Sequence, residues 1–391
     1  MMPKRRFYAT RSAASMKISL FIPSVNHAPA QRPRACRYCG KPILHRHGAL
    51  KKPIKDHRLS EVIVYRYKCT SCGKTFRHYP SGITPKNQSQ RTLVLAALMY
   101  ALGLSCSAAS HLLGALGADV SKMSVWRDAQ EAGQALRKKR PAGRVRVLGA
   151  EETVFKVRGK EVVVGFVVDA ASGKSLGFEV LFAGDGRAFR EWLKPYAEEM
   201  GAEVLVSDDN DSYGVVAAEL GLSQQLCIAH VRKYVARRAD SILGQARREY
   251  DEQDEKLRKL AEDLEALKGV LRELSEEGAR QVERLHRGYL WAAPPTRKGQ
   301  EAKEATAAYR MRMLTLELWS KWPKIRLHLS RPELGLDGTN NASERGISKS
   351  KVRYKSMRGY KSMGGMNNGI ALTQWLYSGE DEHDLNKEMA A

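Results

Sequence analysis

Val145-Arg-Val-Leu-Gly-Ala-Glu-Glu-Thr-Val-Phe-Lys-Val157, Glu161-Val-Val-Val-Gly-Phe-Val-Val168 and Ser175-Leu-Gly-Phe-Glu-Val-Leu-Phe182 follow one another with only short polar breaks between them. Each is rich in β-branched and aromatic residues, and the Gly-containing breaks at 158–160 and 172–174 are turn signals, so the stretch predicts three consecutive strands. Ser172-Gly-Lys-Ser175 lacks the upstream glycine of a phosphate-binding loop and reads as a hairpin turn. The pattern then changes to a helix over 187–200, a strand over 202–206, a helix over 212–220 and a short strand around Leu226.

Hairpin-linked strands followed by alternating helix and strand are the order of a ribonuclease-H-like mixed β-sheet, predicted here over residues 144–230. Acids stand at its strand ends. Glu151 and Glu152 are on the first strand, and Ser207-Asp208-Asp209-Asn210-Asp211 closes the fourth. Much later, Thr339-Asn340-Asn341-Ala342-Ser343-Glu344-Arg345 opens a predicted helix. Carboxylates from separated segments can hold a pair of divalent cations about 4 Å apart, one activating an attacking oxygen and the other stabilising a leaving one. Hard oxygen ligands suit Mg²⁺ or Mn²⁺. A single acidic strand end is most often a solvated turn, so the three segments matter only together.

Charge divides the chain. Of 66 Lys+Arg and 43 Asp+Glu, residues 1–150 hold 28 and 5, whereas the remaining 241 residues hold 38 of each. A cationic front half and a balanced, carboxylate-bearing back half point to a polyanion that is held by one and processed by the other, and nucleic acid is that polyanion. At 391 residues with 43% hydrophobic content, several cored domains are expected. No apolar run reaches the length of a membrane span. The acid-free, Arg- and Ser-rich residues 1–33 read as a disordered basic leader, with a transit peptide or a true start at Met16 as alternatives.

Cys36-Arg-Tyr-Cys39-Gly and Cys69-Thr-Ser-Cys72-Gly bracket an alternating segment over 61–67. Two-residue spacers let each pair of sulfurs reach one tetrahedral ion, so Cys36, Cys39, Cys69 and Cys72 are expected to hold a structural zinc in a zinc ribbon over 34–80. His45, His47 and His57 lie between the pairs and read as solvated loop residues. Helices follow over 91–104 and 106–116. A third opens at Ser121, an N-cap residue, and carries Lys122, Ser124, Arg127 and Gln130 opposite Val125 and Ala129. This order predicts a helix-turn-helix over 88–140 whose last helix reads the major groove. Lys138 to Arg140, with Arg144 and Arg146, form a basic linker suited to phosphates.

Between His230 and Thr339 the pattern is helical. Leu257, Leu260, Leu264, Leu267, Leu271 and Leu274 alternate spacings of three and four, an apolar seam of an intramolecular hairpin or a dimeric coiled coil. Trp291, Trp319 and Trp322 lie in the same region, with core packing expected for at least two. After Glu344, a second basic stretch contains Lys351, Arg353 and Arg358. The acidic residues 379–391 read as a disordered tail.

Residues 34–378 resemble the DDE-type transposases of bacterial insertion sequences, in the group with an N-terminal zinc ribbon, a helix-turn-helix and a helical insertion between the second and third catalytic acids. Val147-Leu-Gly-Ala-Glu151-Glu152-Thr153 is similar to the first-acid strand, Leu205-Val-Ser-Asp208 to the second, and Asn340-Asn341-x-x-Glu344-Arg345 to the third. Cys227-Ile-Ala-His230 matches the Cys/Asp-x-x-His signature that follows the second acid. The resemblance implies Glu151, Asp208 and Glu344 as catalytic ligands of Mg²⁺ or Mn²⁺. The first acid of that family is Asp, however, and position 151 is Glu. An active enzyme using Glu151, an enzyme using Glu152 instead, and a DNA-binding relic all remain open.

The expected protein is thus a multidomain α/β transposase. It has a catalytic domain over 144–230 and 336–378, a helical insertion over 231–335 and an acidic tail. It binds double-stranded DNA at element ends and target, acts as at least a dimer on DNA, needs no membrane and works in the cytoplasm at the nucleoid. A non-catalytic regulator and a nuclease without strand joining are the rival readings.

Overall fold

The computed structural model describes residues 19–138, 143–182, 186–295, 305–357, 359–378 and 382–390. Of the basic leader expected over 1–33, residues 1–18 lie outside these, as do 139–142, Arg358 and 379–381, whereas 19–33 are described and Ser19–Leu20 form a strand rather than disordered chain. The chain forms two compact units: one comprises residues 1–140, 155–161 and 348–391, the other residues 141–154 and 162–347.

In the first unit, β1 (Ser19–Leu20), β2 (Leu44–Pro53), β3 (Glu61–Cys69) and β4 (Thr75–His78) precede α1 (Gln90–Ala101), α2 (Cys106–Ala115) and α3 (Lys122–Arg137). The strands β2, β3 and β4 make an antiparallel sheet in that order. Ser89, Ser105 and Ser121 each cap the following helix, their hydroxyls accepting from the amides of Thr92, Ala108 and Ser124. Ala96, Ala109, Leu113, Val120 and Val125 form the small core that the three helices share. Asp56 ties the sheet's loop to α1: it is buried and accepts from Arg91 and from the hydroxyl of Ser89.

The second unit is built on five strands in the order β7-β6-β5-β8-β9, with β5 Val147–Val157, β6 Lys160–Asp169, β7 Ser175–Leu181, β8 Val204–Ser207 and β9 Ser223–Leu226, of which the residues 155–161 of β5 and β6 group with the first unit. β6 and β7 are antiparallel, while β8 runs parallel to both β5 and β9. The mixed sheet is therefore the one expected. α4 (Gly186–Met200) and α5 (Asp211–Glu219) bury Phe189, Trp192, Leu193, Tyr213 and Val216 against Leu148, Val167 and Leu205.

Further helices of this unit include α6 (Ile228–Glu249), α7 (Glu255–Glu273), α8 (Gly278–Gly288) and α9 (Ala307–Ile325). All six leucines of the seam are buried, in one core with Val235 and Ile242 of α6, Val282 of α8 and Met311 and Leu318 of α9. The seam is thus consumed within the chain and leaves no coiled-coil stripe for a partner. Only Trp322 joins that core, at 4% exposure, whereas Trp291 and Trp319 are 65% and 39% exposed. The expectation of two core tryptophans is corrected: the leucines already fill the interior.

The C-terminal segment differs from expectation in two ways. First, α10 (Asn341–Ser356) begins in the second unit, but residues from 348 onward, including α11 (Met363–Leu376), group with the first. α11 packs along α3, where a Cβ on Gly133 would come within 2.7 Å of the Asn368 backbone, so only glycine permits the approach. Second, residues 382–390 are not an unstructured tail. β10 (Glu382–His383) pairs in parallel with β1, and α12 (Leu385–Ala390) packs on α3. Leu385 is fully buried and His383 meets the ring of Trp375 at 4.9 Å. The acidic composition hid these two anchors.

Candidate active site

β5 and β8 are parallel neighbours with Gly149 beside Val206. Two residues further on, each strand delivers an acid: Glu151 from β5, and Asp208 one residue beyond the end of β8. The third acid arrives through Asn340. Its side chain is buried, and its Nδ2 donates to the Ala150 carbonyl at 2.9 Å and to Glu151 Oε2 at 3.5 Å. Its Oδ1 accepts from Ser343 Oγ at 2.7 Å and its backbone N–H donates to Cys227 Sγ at 3.2 Å. This clasp sits one helical turn before Glu344. Gly149 makes room for it, because a Cβ there would lie 2.8 Å from Ser343 Oγ and 3.1 Å from Asn340 Oδ1.

His230 enters from the first turn of α6. The start of that helix is held by Cys227 N–H donating to the Ser207 carbonyl at 2.8 Å and Ile228 N–H to the Gly338 carbonyl at 3.0 Å. Nε2 of His230 lies 3.6 Å from Glu344 Oε1. Ligand atoms of Glu151, His230 and Glu344 all lie within 4.8 Å of one another, and Asp208 is not part of that close group. Its charge still reaches the site. Burial, then the carboxylates of Glu344, Asp208 and Glu152, push the Glu151 carboxyl up to about 7, with His230 opposing. Hydrogen bonding to Cys227, against the cost of burial, raises His230 to about 9, with the charges of Glu151 and Glu344 adding to it. His230 offsets only part of the repulsion among these acids, and such a cluster is a place where a further cation lowers the energy.

The adjacent acids are engaged differently. Glu152 accepts from the buried Tyr213 hydroxyl and, at 3.4 Å, from Asn210 Nδ2. Asp209 is paired with Lys321 of α9 at 2.6 Å, and Lys321 also meets Glu317 at 2.8 Å. Of the two strand-one acids, Glu151 therefore faces Asn340, His230 and Glu344. Asn341 and Arg345 are both exposed beside Glu344.

In the first unit, Cys36, Cys39, Cys69 and Cys72 come together with all four sulfurs within 4.8 Å of one another. The Cys36–Cys72 and Cys39–Cys69 sulfur separations are 3.8 and 3.6 Å. A tetrahedron with metal–sulfur bonds of about 2.3 Å has edges of about 3.8 Å, so the four thiols fit a zinc ion. His45 and His47 are exposed and His57 is half-buried.

The residues expected to meet DNA are placed unevenly. Lys122 and Arg127 are exposed on α3, beside Met123 and Trp126, two exposed apolar side chains that the charge pattern did not single out. Ser124 Oγ hydrogen-bonds with Ser121 Oγ at 3.1 Å, and Gln130 is turned inward, accepting from Asn368 at 3.0 Å. Arg144 is exposed, 3.6 Å from Glu203. Arg146 grips Glu203 with two hydrogen bonds, so its guanidinium is already committed. Lys351 is half-buried. Arg353, expected to face DNA, is instead buried: it is 2% exposed, lies 3.7 Å from the Tyr100 ring centroid and donates to the Leu104 carbonyl at 2.8 Å. A basic run on a helix does not reveal which of its members turn inward.

The sheet places Glu151 on β5 and Asp208 just past the end of the neighbouring β8, and the helix that follows Asn340 brings Glu344 beside Glu151 and His230. Residues 89–368 match the Transposase IS66 family, and the chain belongs to it. Among solved structures, the catalytic core domain of BIV integrase is similar at 8% identity, covering 44% of this chain and 83% of that one, with a TM-score of 0.18. A search of curated proteins found no match. No helix of the described residues is long and apolar enough to cross a membrane.

Proposed function

We propose that this transposase cuts and rejoins DNA strands at the ends of its element, using divalent metal held by Glu151, Asp208 and Glu344 in a ribonuclease-H-like domain. The observation that carries this is the clasp of Asn340 on Ala150 and Glu151, which draws Glu344 to the first-acid strand. Mg²⁺ or Mn²⁺, when bound, would supply activation of the attacking oxygen and stabilisation of the leaving one. The residues of the chain do the rest. Asn340 orients the Glu151 carboxylate, His230 stands against Glu344 and restrains it, and Tyr213 keeps Glu152 out of the site. Lys321 anchors the segment just after Asp208.

The first unit holds the DNA. Its four-cysteine cluster binds a structural zinc, and α1 to α3 form a helix-turn-helix that presents Lys122, Trp126 and Arg127 to the major groove. Two element ends joined in one reaction call for at least two copies of the chain on DNA. The test is cleavage and strand transfer on the element's own ends with Mg²⁺. Loss of both in Glu344→Gln, with end binding intact, is the expected result. Metal-dependent cutting without joining of a pre-cut end would make the protein a nuclease. Binding without any cutting would make it a regulator.

A further inference from the structure

One face of the β2–β3–β4 sheet is cationic without any acid to balance it. At the cysteine end of the sheet, Tyr67 and Cys69 of β3 turn toward the buried cluster of Cys36, Leu44 and Phe76. The alternate residues Arg66 and Lys68 therefore turn to solvent. Arg66 lies directly across from Arg77 of β4, and Lys68 directly across from His45 of β2. All four are exposed.

Like charges placed opposite one another weaken a sheet. Here little relieves them. Arg66 donates to Thr75 Oγ1 at 3.0 Å, and among the described residues no carboxylate forms an ion pair with any of the four. The acids close in sequence are spent elsewhere, Asp56 on the buried Arg91 and Glu61 on Lys51. Neither the strand pairing nor the core on the other face requires charge at positions 66, 68 and 77. The repulsion is a standing cost that an anionic partner would remove.

We propose that this face is a docking surface for the phosphate backbone of double-stranded DNA, distinct from the exposed face of α3; the proposal rests on the reading of the first unit as DNA-binding. Three permanent charges are held on a stiff frame, about 5 Å apart across strands and about 7 Å along one. Phosphate oxygens can be met by such a frame without regard to sequence. Beside the three cations, the paired positions at this end of the face are His45 and Thr75, not the row of exposed Phe, Tyr or Trp rings that a single-strand platform would require. Its contribution is therefore affinity and register on the duplex, and discrimination is left to α3.

The experiment uses the full chain with Arg66, Lys68 and Arg77 all changed to Gln, and a charge-keeping control, Arg66→Lys with Arg77→Lys. Binding to an element-end duplex and to a random duplex is measured across a salt series. The Gln variant is expected to lose affinity for both duplexes by the same factor, with a log–log salt slope shallower by about 0.9 for each phosphate no longer neutralised. The Lys control should keep the native slope. With three charges gone, the thermal midpoint of the free protein at low salt should rise, a gain in stability beside a loss in binding that a merely structural role would not produce. An unchanged slope in a folded Gln variant overturns the proposal, as does a loss confined to element ends or to single strands. Should the triple variant not fold, Lys68→Gln alone carries the same slope test. If the native chain itself shows no salt-dependent duplex binding, the DNA-binding reading fails, and that outcome is distinct from failure of this face alone.

Discussion

Asn340 Nδ2 donates to the carbonyl oxygen of Ala150 at 2.9 Å, fastening the start of the Glu344 helix to the strand that carries Glu151. The two residues are 190 positions apart, and the bond is buried.

Asn340→Ala should therefore separate two acids that it does not replace. The Ala150 carbonyl would lose a buried donor, at about 1 kcal/mol or more, and Glu151 would lose its orienting donor. Cleavage should fall at least tenfold with end binding unchanged. Gly149→Ala attacks the same clasp from below: its Cβ would press on Ser343 and Asn340, costing about 1–3 kcal/mol. Cleavage kinetics beside chemical denaturation would check both, and full activity in either variant would refute the role of the clasp.

Glu151→Gln should abolish cleavage, whereas Glu152→Gln should mainly loosen Tyr213, because Glu152 faces that hydroxyl and Asn210. Glu151→Asp shortens the side chain by about 1.5 Å. Since the DDE-type transposases that the chain resembles carry Asp as the first acid, the shorter carboxylate is expected to raise the cleavage rate or to shift the Mg²⁺/Mn²⁺ preference. A harmless Glu151→Gln with a lethal Glu152→Gln would reverse the assignment of the two faces.

Removal of metal with a strong chelator should unfold the β2–β4 sheet, because a structural zinc contributes on the order of 10 kcal/mol in a module of this size. Metal analysis of the purified chain should find about one zinc for its four clustered cysteines. Cys69→Ser should lose the ion and the circular-dichroism signal of the sheet together. A chain that keeps its fold and its DNA affinity without zinc would show the thiols to be dispensable.

Some of this was legible in the sequence and some was not, for physical reasons. Strands were readable from alternation and the cysteine cluster from its two spacings, because both are local. Strand alternation also showed that Glu151 and Glu152 point to opposite faces, but which face the third acid reaches depends on Asn340, which bridges distant segments. Arg353 was misread because a run of lysines and arginines says nothing of Tyr100, more than two hundred residues earlier, on which its guanidinium stacks. His230 was readable as part of a signature, yet its place against Glu344 was not. The C-terminal helix was hidden by acidic composition, in which the buried Leu385 and His383 do not stand out.

Stability of the first unit should depend on pH through Asp128, which lies buried on α3 and accepts from Gln88 Nε2. Burial above all raises its carboxyl to about 7, with the Gln88 bond and the charge of Lys86 opposing. The folded form thus binds a proton more tightly than the unfolded chain, whose Asp titrates near about 4. Its contribution is fully present below pH ~4, is lost as pH rises through about 7, and is flat above that. Asp128→Asn keeps an acceptor for Gln88 and carries no charge. It should raise the thermal midpoint at pH 8 and change it little at pH 4, and a lower midpoint at pH 8 would contradict this account.

Lys321 of α9 pairs with Asp209, the residue after Asp208, and with Glu317. Three residues on, Lys324 donates to Gln224 at 2.9 Å, Gln224 to Ser207 Oγ at 3.1 Å, and Ser207 Oγ to the Asp208 carbonyl at 2.8 Å. The insertion therefore grips the Asp208 segment from both sides. Lys321→Met would leave Asp209 and Glu317 without their shared cation and release one grip. A misplacement of about 1 Å in a reacting constellation can cost about a hundredfold in rate. Lys321→Met should lower the cleavage rate by ten- to a hundredfold, roughly, with end binding and zinc content unchanged. Lys321→Arg, which keeps the charge, should recover much of the rate. If Lys321→Met cuts at the native rate, the insertion holds the second acid by other means.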